Sequence, residues 1–342
     1  MIKLDGSHGE GGGAILRQAL ALSTLTGKPF EIKNIRKGRP TPGLKAQHLH
    51  SINALKELSG CTITDYEVGT ERLTFTPGII KNKSISIDVG TAGSITLLLQ
   101  SLMLPCMLSG KRITIKLVGG TDVKWSQPID YFANVLVPIF RTYANIQVLT
   151  VKRGYYPKGA GEVIVKIKSH KFHSLERIDF TKKKKLLRIR GVSHSSSNLK
   201  DVADRQARTA KVLLSNLGVE INIARQYSNT SSTGSGITLW ALYNKNDSEF
   251  SQPVILGGDS LGEKGKKAED VGMEATENLK KEMNSDACVD KYLADQIIPL
   301  LGVTKGKIKT SHITKHTYSN IYVTKKFLKT KFKITKNLIE VE

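Results

Sequence analysis

Apolar residues recur at helical spacing in three segments of the chain, and each segment leads through a glycine into a short alternating strand. The three helix–strand pairs are residues 14–25 with 30–35, 97–108 with 113–117, and 292–301 with 308–310. Gly27, Gly110 and Gly306 stand between helix and strand, where a left-handed C-cap favours glycine. The recurrence predicts a repeated α+β unit, although helix–glycine–strand is also a common arrangement by chance.

A second helix–strand pattern occurs in residues 53–63, 131–148 and 203–221. Together the two patterns predict an α+β fold of packed layers. The basic run 182–185 begins a segment with its own strand–helix–strand pattern, which continues to about Asp259. We therefore expect a large domain of three repeated α/β units, residues 1–181 and 260–342, with a smaller inserted α+β domain at residues 182–259.

The chain carries a large excess of positive charge. Lysine and arginine number 52 and aspartate and glutamate number 30, so the formal net charge is +22. This balance indicates a polyanionic partner, either nucleic acid or a phosphate-rich substrate, or else a solvated lysine-rich surface. It excludes an acidic disordered chain.

The cysteines and the apolar runs bear on the location of the protein. The three cysteines are widely spaced and follow neither a disulfide nor a zinc pattern, so we expect a reducing, cytoplasmic environment. The longest apolar run is interrupted by Gln100 and Pro105, and the N-terminus has no apolar signal core. We therefore expect no membrane association.

A glycine-rich loop, residues 9–13, precedes the first predicted helix. Glycine permits close approach of a ligand, and a helix N-terminus offers free N–H groups to an anion. The run matches no established phosphate-loop pattern, and a tight turn is an alternative explanation. Glu10 would repel a bare phosphate, so its presence suggests a metal ion that bridges to one. Arg17 lies two helical turns further on, beside the apolar face.

Two further segments carry polar groups suited to phosphate or nucleotide. Arg36 and Arg39 lie in a loop that proline and glycine make rigid, where they suit either a phosphate site or a solvated surface. Gln47 and His48 follow at the beginning of a helix. Gln100 is the one large polar residue in an apolar helix, and its amide contacts either another helix or a ligand.

The segment 311–320 contains His312 and His316 among β-branched and small polar residues, and it predicts a strand with both histidines on one face. A spacing of four also occurs in zinc helices, but no glutamate follows His312 as it does there. On the residues alone, a structural histidine and an active-site histidine both remain open.

Taken together, these segments resemble the RNA 3′-terminal phosphate cyclase family over nearly the whole chain. In chain order the matching motifs are LDGSHGEGGGAILRQALALS, IRKGRPTPGLKAQH, VGTAGSITLLLQ, GGTD, RGYYPKGAGE, GDSLGEKGKKAEDVG, YLADQ and HTYSN. The resemblance implies a large domain of three repeated α+β units, similar to those of enolpyruvyl transferases, with a small inserted domain.

The resemblance also implies an activity. The family consists of ligase-class RNA-processing enzymes that use ATP to convert an RNA 3′-terminal phosphate to a 2′,3′-cyclic phosphate, releasing AMP and pyrophosphate. The reaction passes through an adenylylated histidine, which the HTYSN motif places at His316, with His312 as a neighbour without that role. The implied partner is RNA with a 3′-phosphate end, and the implied cofactors are ATP and Mg²⁺ or Mn²⁺.

Binding roles are implied in the same way. The residues implied to line the ATP site are Gln100, Pro128, Tyr292, Leu293, Ala294, Asp295 and Gln296. The residues implied to face phosphates of ATP or RNA are Arg17, Arg36, Arg39, Gln47 and His48. Glu10 and Asp295 are implied to hold the divalent ion.

Other functions are weighed against this one. A non-catalytic cyclase-like protein that binds RNA in ribosome assembly would lack the nucleophilic histidine, whereas His316 and Asn320 are present. A generic basic RNA-binding module would not need YLADQ or the glycine-rich loop. An enolpyruvyl transferase would explain neither His316 nor the net charge.

Overall fold

The first part of the chain forms a unit of four strands and two helices. The structure is a computed structural model, and it describes residues 1–64, 66–170, 175–244 and 254–342. The elements of this unit are β1 (Ile2–Asp5), α1 (Ala14–Thr26), β2 (Phe30–Lys33), α2 (Ala46–Ser59), β3 (Thr62–Ile63) and β4 (Leu73–Thr76). The sheet has the order β1-β2-β4-β3, in which only β1 and β2 are parallel.

The second unit repeats this arrangement. Its elements are β5 (Lys83–Asp88), α3 (Ile95–Met107), β6 (Arg112–Gly119), α4 (Ile129–Tyr131), a π-helical segment (Phe132–Leu136), α5 (Val137–Phe140), β7 (Ala144–Lys152) and β8 (Gly161–Ser169). The sheet order is β5-β6-β8-β7, again with a parallel first pair. The segment 129–140 thus replaces the single second helix of the first unit.

The third unit is divided by an insertion. Its first strand is β9 (Ile178–Phe180), and the insertion that follows contains β10 (Leu186–Ser196), α6 (Val202–Leu214), β11 (Glu220–Ser228), β12 (Ser235–Tyr243), β13 (Val254–Leu261) and α7 (Ala268–Asn284). The unit resumes with α8 (Lys291–Thr304), β14 (Gly306–Lys309), α9 (Lys315–Leu328), β15 (Phe332–Thr335) and β16 (Leu338–Val341). Its sheet order, β9-β14-β16-β15, is that of the other two units.

Helices of the three units pack on one another in the interior, and each sheet covers them from outside. Helix α1 contacts α2, α3 and α9, while α8 packs on α9. Eleven of the thirteen residues of α1 are buried, as expected for a helix with neighbours on several sides. The strands alternate buried and accessible positions, as in β6, so one face of each sheet lies on the helices. The predicted α+β fold of three repeated units is confirmed.

The insertion is a sheet with two helices. Its strand order is β11-β10-β12-β13, and α6 and α7 pack on each other and on this sheet. The predicted boundary after Asp259 falls inside β13, and α7 lies beyond it although it contacts the same sheet. The division at residues 182–259 stays a prediction, whereas the strands and helices of the insertion extend to Asn284.

One predicted element is wrong. The segment with the two histidines is not a strand: His312 precedes α9, and His316 lies in its first turn. Within the segment 311–320, the residues that α9 buries are Thr317, Ser319 and Asn320, which are all polar, so the apolar pattern did not reveal the beginning of the helix. Thr314 supplies the start of the helix through a side-chain cap.

Among the helices that the structure describes, none combines the length and the apolar character needed to cross a bilayer.

We predict that Asp290→Ala lowers the free energy of unfolding by about 3 kcal/mol, the combined cost of a lost helix cap and of unpartnered buried donors. The buried Asp290 carboxylate accepts hydrogen bonds from the Tyr131 hydroxyl at 2.6 Å, from Gly257 N at 3.0 Å and from the first turn of α8. Urea unfolding followed by circular dichroism measures the change. Tyr131→Phe, which removes one donor only, should cost about 1 kcal/mol; equal losses in the two variants would contradict the prediction.

Candidate active site

The beginning of α9 is held by two threonines. Thr314 is the N-cap, and its Oγ1 accepts a hydrogen bond from Thr317 N at 3.1 Å, while Thr317 Oγ1 accepts one from Thr314 N at 3.1 Å. This reciprocal pair is a capping box built with threonine in place of glutamate. His316 is the second residue of the helix, where backbone N–H groups lack intrahelical partners. The imidazole therefore stands at the electropositive end of a helix.

Asp295 of α8 ties this cap to the rest of the protein. Its Oδ1 accepts hydrogen bonds from Thr314 Oγ1 at 2.7 Å and from Thr317 Oγ1 at 2.5 Å. Its backbone oxygen accepts another from Asn320 Nδ2 at 2.6 Å. Burial raises the pKa of Asp295, and the two hydroxyl donors oppose that rise because they favour the carboxylate. The contacts fix α9, and with it His316, relative to α8.

The glycine-rich loop meets α9 at this point. Glu10 N donates to Ser319 Oγ at 3.3 Å, and a β-carbon at Gly9 would lie 2.7 Å from the same oxygen. The loop therefore passes too close to the helix for a side chain at that glycine. Glu10 Oε2 lies 2.7 Å from His316 Nδ1, and the other carboxylate oxygen is paired with Arg39. Residues from the two ends of the chain thus form one cluster of acid, imidazole and guanidinium.

The surroundings of His316 favour its neutral form. Its side chain is about half exposed. Partial burial lowers the pKa of the imidazole, Arg17 and Arg39 lower it further, and Asp295 opposes them. Glu10 at Nδ1 favours the tautomer with the proton on that nitrogen. Among the described residues none hydrogen-bonds Nε2, so its lone pair is free to react.

A second group of donors surrounds Gly13. A β-carbon at this glycine would lie 2.5 Å from His48 Nε2 and 2.8 Å from Arg17 Nη1, so the backbone there lies against both side chains. Burial, together with the charges of Arg17 and Arg36, lowers the pKa of His48 to about 3. Its Nδ1 accepts a hydrogen bond from Lys45 N at 3.0 Å, which leaves the proton of the neutral ring on Nε2.

These donors lack acceptors in the part of the chain that the structure describes. His48 Nε2 and the neighbouring Gln47 Nε2 are buried without a hydrogen-bond partner. Arg17 is buried too, and desolvation lowers the pKa of its guanidinium to about 10. Because buried donors and charges are costly when unpartnered, the arrangement suits an anion such as phosphate. Gly13 is also the N-cap of α1 and adds helix N–H groups.

The two arginines of the rigid loop differ in role. Arg36 Nη1 donates to the carbonyl oxygens of Thr41 at 2.8 Å and Gly43 at 2.9 Å, so this side chain holds its own loop in shape. Arg39 extends to Glu10 and remains partly exposed. Gly38 N donates to Gly11 O at 3.1 Å, which joins the basic loop to the glycine-rich loop. The structure therefore brings Arg39, and not Arg36, directly to His316 and Glu10.

A pocket with mostly apolar walls lies beside this cluster. Its lining residues are Gln18, Gln100, Met103, Leu104, Phe132, Leu136, Phe140, Gln296, Pro299 and Leu300. Gln100 Oε1 accepts a hydrogen bond from Arg17 Nε at 2.9 Å, which connects the pocket to the phosphate-type donors. Gln296 Oε1 is buried without a partner among the described residues. Its lining is of the type that contacts a nucleobase, but the cavity volume is only about 20 Å³, so the pocket is closed in this structure.

The other residues that the family resemblance assigns to the nucleotide site do not line this pocket. Tyr292 is about half exposed in the first turn of α8, whereas Leu293 and Ala294 are buried with the hydrophobic core. Pro128 is buried as the N-cap of α4. Sequence reasoning missed the apolar lining of the pocket, because Met103, Phe132 and Pro299 look like ordinary core residues.

The implied divalent ion fits one of its two assigned ligands better than the other. Glu10 Oε2 is a buried carboxylate oxygen that lies 2.7 Å from His316 Nδ1, and its second lone pair would suit Mg²⁺ or Mn²⁺. Asp295 Oδ1 already accepts two hydroxyl bonds, so this carboxylate positions α9. Its assignment to the metal stays a prediction.

A second cluster with metal-ligand chemistry is filled by the protein itself. Asp122, Asp130 and His194 bring ligand atoms within 4.8 Å of one another in the described part of the chain. The buried Arg153 guanidinium lies between the two carboxylates, 3.1 Å from Asp122 and 2.8 Å from Asp130. The Arg153 guanidinium already supplies the positive charge between these carboxylates. The cluster therefore joins the second unit to the insertion.

We predict that the His316 imidazole titrates below its ordinary value of about 6.5, and that Arg39→Gln raises its pKa. Removing the guanidinium favours imidazolium twice, because it takes away a positive charge and releases the Glu10 carboxylate. Nitrogen-15 NMR of the imidazole across a pH series measures both values. Arg72→Gln, a surface arginine paired with Glu31 in the first sheet, is the control and should leave His316 unchanged. A lower pKa in Arg39→Gln would contradict this reading of the cluster.

The chain is similar to known proteins over nearly its whole length. The model of the family described as RNA 3′-terminal phosphate cyclase matches residues 8–334. The chain is 44% identical over 338 residues to the RNA 3′-terminal phosphate cyclase of Pyrococcus furiosus, covering 98% of this chain and 95% of that protein. It is 42% identical over 333 residues to that of Archaeoglobus fulgidus, covering 96% of each. The chain therefore belongs to the RNA 3′-terminal phosphate cyclase family of enzymes.

Proposed function

We propose that this protein uses ATP to convert the 3′-terminal phosphate of RNA to a 2′,3′-cyclic phosphate, with His316 as the residue that accepts AMP. The observation that carries the proposal is the neutral, half-exposed His316 imidazole at the N-terminus of α9, with Glu10 at Nδ1 and Nε2 free. The family membership supports the reaction, and the phosphate-type donors and the adjoining pocket support a nucleotide beside that imidazole.

In the first step, His316 Nε2 attacks the α-phosphorus of ATP. A P–N bond forms, the bond to pyrophosphate breaks, and pyrophosphate carries away the bond's electron pair. The ring gains positive character as it forms the bond, and the Glu10 carboxylate at Nδ1 stabilises it. Arg17, Arg39 and the N-terminus of α9 offset negative charge on the phosphates. A divalent ion held by Glu10 would supply further charge neutralisation.

In the second step, an oxygen of the RNA 3′-phosphate attacks the phosphorus of the bound AMP. The P–N bond breaks, and its electron pair returns to Nε2. The ribose 2′-oxygen then attacks the activated 3′-phosphorus, loses its proton, and expels AMP. This ring closure is intramolecular, so correct positioning of the sugar supplies much of the rate. It also requires the 2′-hydroxyl that DNA lacks.

The base-binding role is assigned to the pocket that Gln100 and Gln296 share. Once the pocket widened from its present volume of about 20 Å³, its apolar walls would cover the faces of an adenine and the two amides would contact its polar edge. The pocket adjoins Arg17 through Gln100, so base and phosphates would occupy neighbouring parts of one cleft. The non-catalytic alternative is not favoured. A protein of that kind would lack a nucleophilic histidine, whereas His316 is present here next to the phosphate-type donors.

We predict that His316→Ala abolishes covalent transfer of label from ATP labelled at the α-phosphate, because no other described imidazole lies in this environment. His312→Ala is the matched control, since His312 is exposed just before α9 and should leave labelling unchanged. A phosphoramidate is expected to be acid-labile and alkali-stable, which gel analysis after each treatment tests. Labelling of His316→Ala, or its loss in His312→Ala, would falsify the assignment.

We predict that Glu10→Gln slows self-adenylylation by at least about a hundredfold, the usual contribution of a group that stabilises charge developing in the transition state. The glutamine keeps the shape but loses the charge that stabilises the reacting ring. Single-turnover labelling measures the rate. Glu57→Gln, on an exposed stretch of α2, serves as the control. Wild-type rates in Glu10→Gln would show that the carboxylate has no part in this step.

The nature of the RNA end provides a further prediction. RNA ending in a 3′-phosphate should be cyclized, and RNA ending in a 3′-hydroxyl should be left unchanged, because it offers no phosphate oxygen for the second step. An oligonucleotide with a 3′-phosphate but a terminal 2′-deoxyribose should accept AMP and then stop. Mass spectrometry separates these species. Cyclization without ATP, or turnover of 3′-hydroxyl ends, would show a different reaction.

A further inference from the structure

The outer faces of the three repeated sheets carry different charge patterns. Each sheet packs one face on the helices and turns the other outwards, so the same positions can be compared across the three units. In the third unit, one row across the sheet runs Asp179, Lys307, Glu340 and Lys333, which alternates in sign at every strand. Lys307 Nζ lies 3.7 Å from the Asp179 carboxylate.

The first unit is balanced in the same way. Glu31 lies between Lys3 and Thr74 in its row, and Asp5 is opposite Lys33. Glu31 also pairs with Arg72 at 2.6 Å. In both of these sheets the cations named here therefore have an acidic neighbour on the same face.

The second unit lacks this balance. Arg112 is directly opposite Lys168, Lys166 occupies the next row opposite Thr114, and Lys116 occupies the row after that. All four cations are exposed. Among the described residues, the acids of this outer face, Asp88 and Glu162, appear only in the fourth row, at the far end of the sheet. None of the four cations forms an ion pair with a described residue within 4 Å.

Like charges placed opposite one another destabilise a sheet, since their β-carbons are only about 5 Å apart. Successive rows are about 6.7 Å apart, which is shorter than the Debye length of about 10 Å at 0.1 M salt, so screening removes only part of the repulsion. The repulsion would be relieved by an anion that follows the rows. The remaining positions in these rows include hydroxyl and amide side chains at Ser84, Ser86, Thr114, Asn145 and Gln147.

We propose that this outer face, the β5-β6-β8-β7 sheet with Arg112, Lys116, Lys166 and Lys168, binds the sugar–phosphate backbone of the RNA substrate away from its 3′ end. The inference rests on the proposed function for the identity of the polyanion. Lysine, arginine, hydroxyl and amide side chains are the usual partners of nucleic-acid phosphates, and the net charge of +22 favours such a ligand over the whole protein. No residue of this face belongs to the site around His316, so the nucleotides bound there lie outside the reacting end.

The experiment compares two double variants with a matched control. The variants are R112Q/K168Q and K116Q/K166Q, and the control is K307Q/K333Q, which removes the same charge from the balanced sheet of the third unit. Affinity for an RNA of about 16 nucleotides with a 3′-hydroxyl is measured by fluorescence anisotropy over a salt series. The 3′-hydroxyl prevents turnover during the measurement.

Each phosphate contact contributes a slope of about −0.7 to the plot of log affinity against log salt, or about fivefold in affinity at 0.1 M salt. Each double variant on the second sheet should therefore bind up to about 25-fold more weakly, with a slope reduced by up to about 1.4. The control should bind as the wild type does. R112Q/K168Q should not lower the melting temperature, because it removes a like-charge pair.

Two outcomes would overturn the proposal: unchanged RNA affinity in both double variants, or equal weakening in the control, which would show an effect of net charge alone. Because the face is proposed to bind nucleotides away from the 3′ end, both double variants should process a trinucleotide ending in a 3′-phosphate at the wild-type rate; a loss there would also count against the proposal. The proposed function is tested separately. It fails if the wild-type protein takes up no label from ATP labelled at the α-phosphate. The anisotropy comparison does not depend on that result.

Discussion

A single buried carboxylate oxygen, Asp295 Oδ1, determines where the candidate nucleophile stands. It accepts both threonine hydroxyls that form the capping box of α9, so the local cap and the tertiary contact between α8 and α9 are one interaction. His316 lies between those two threonines, and its position is set by them. Since a helix of ordinary length has little stability alone, this anchor matters more for α9 than its residue propensities do. The glycine-rich loop then has a rigid surface on which to place Glu10.

A buried guanidinium without an acidic partner among the described residues gives the site its chemical character. Arg17 is buried beside His48 and near His316, and its charge contributes to keeping both imidazoles neutral. One guanidinium therefore prepares a hydrogen-bond donor at one position and a nucleophile at the other. It is unfavourable to bury the Arg17 guanidinium without a counter-charge and His48 Nε2 without an acceptor, and an anion between them would offset that cost. Some stability is thus given up for a preorganised phosphate site.

The three repeated units share one topology but contribute different side chains to the site. The first unit contributes the glycine-rich loop with Arg17 and His48, the second contributes Gln100 and the π-helical segment with Phe132, and the third contributes Asp295 and His316. These parts meet because the helices of all three units pack on one another in the interior. The same topology leaves three outer sheet faces free to vary, and charge balance has been kept on two of them. Function in this fold therefore depends on which side chains occupy equivalent positions of the three units.

The sequence by itself determined the helices with strong apolar periodicity and a glycine at the end, and with them the α+β class and the repeat. It also placed polar residues of the site in loops and at helix starts. A glycine run permits close approach of a ligand and an arginine side chain can bind phosphate through two N–H groups, and both properties can be read from the local sequence. The resemblance to a family named His316, which the residues alone left open. The predicted strand at residues 311–320 was wrong because the residues that α9 buries there are Thr317, Ser319 and Asn320, whose polar side chains carry no apolar period.

Only the tertiary structure decided which of these residues meet. Glu10 and His316 stand near opposite ends of the chain, and no local pattern links them. Arg36 and Arg39 are equivalent by sequence, yet one holds its loop and the other reaches Glu10, because the chain turns between them. The sequence identified α8 and β14 of the third unit but missed its second helix–strand pair, α9 with β15, because α9 begins with polar buried residues and Lys329, not glycine, ends it in the left-handed conformation. Local spacing reports the structure of single elements, whereas contacts between distant segments arise from packing.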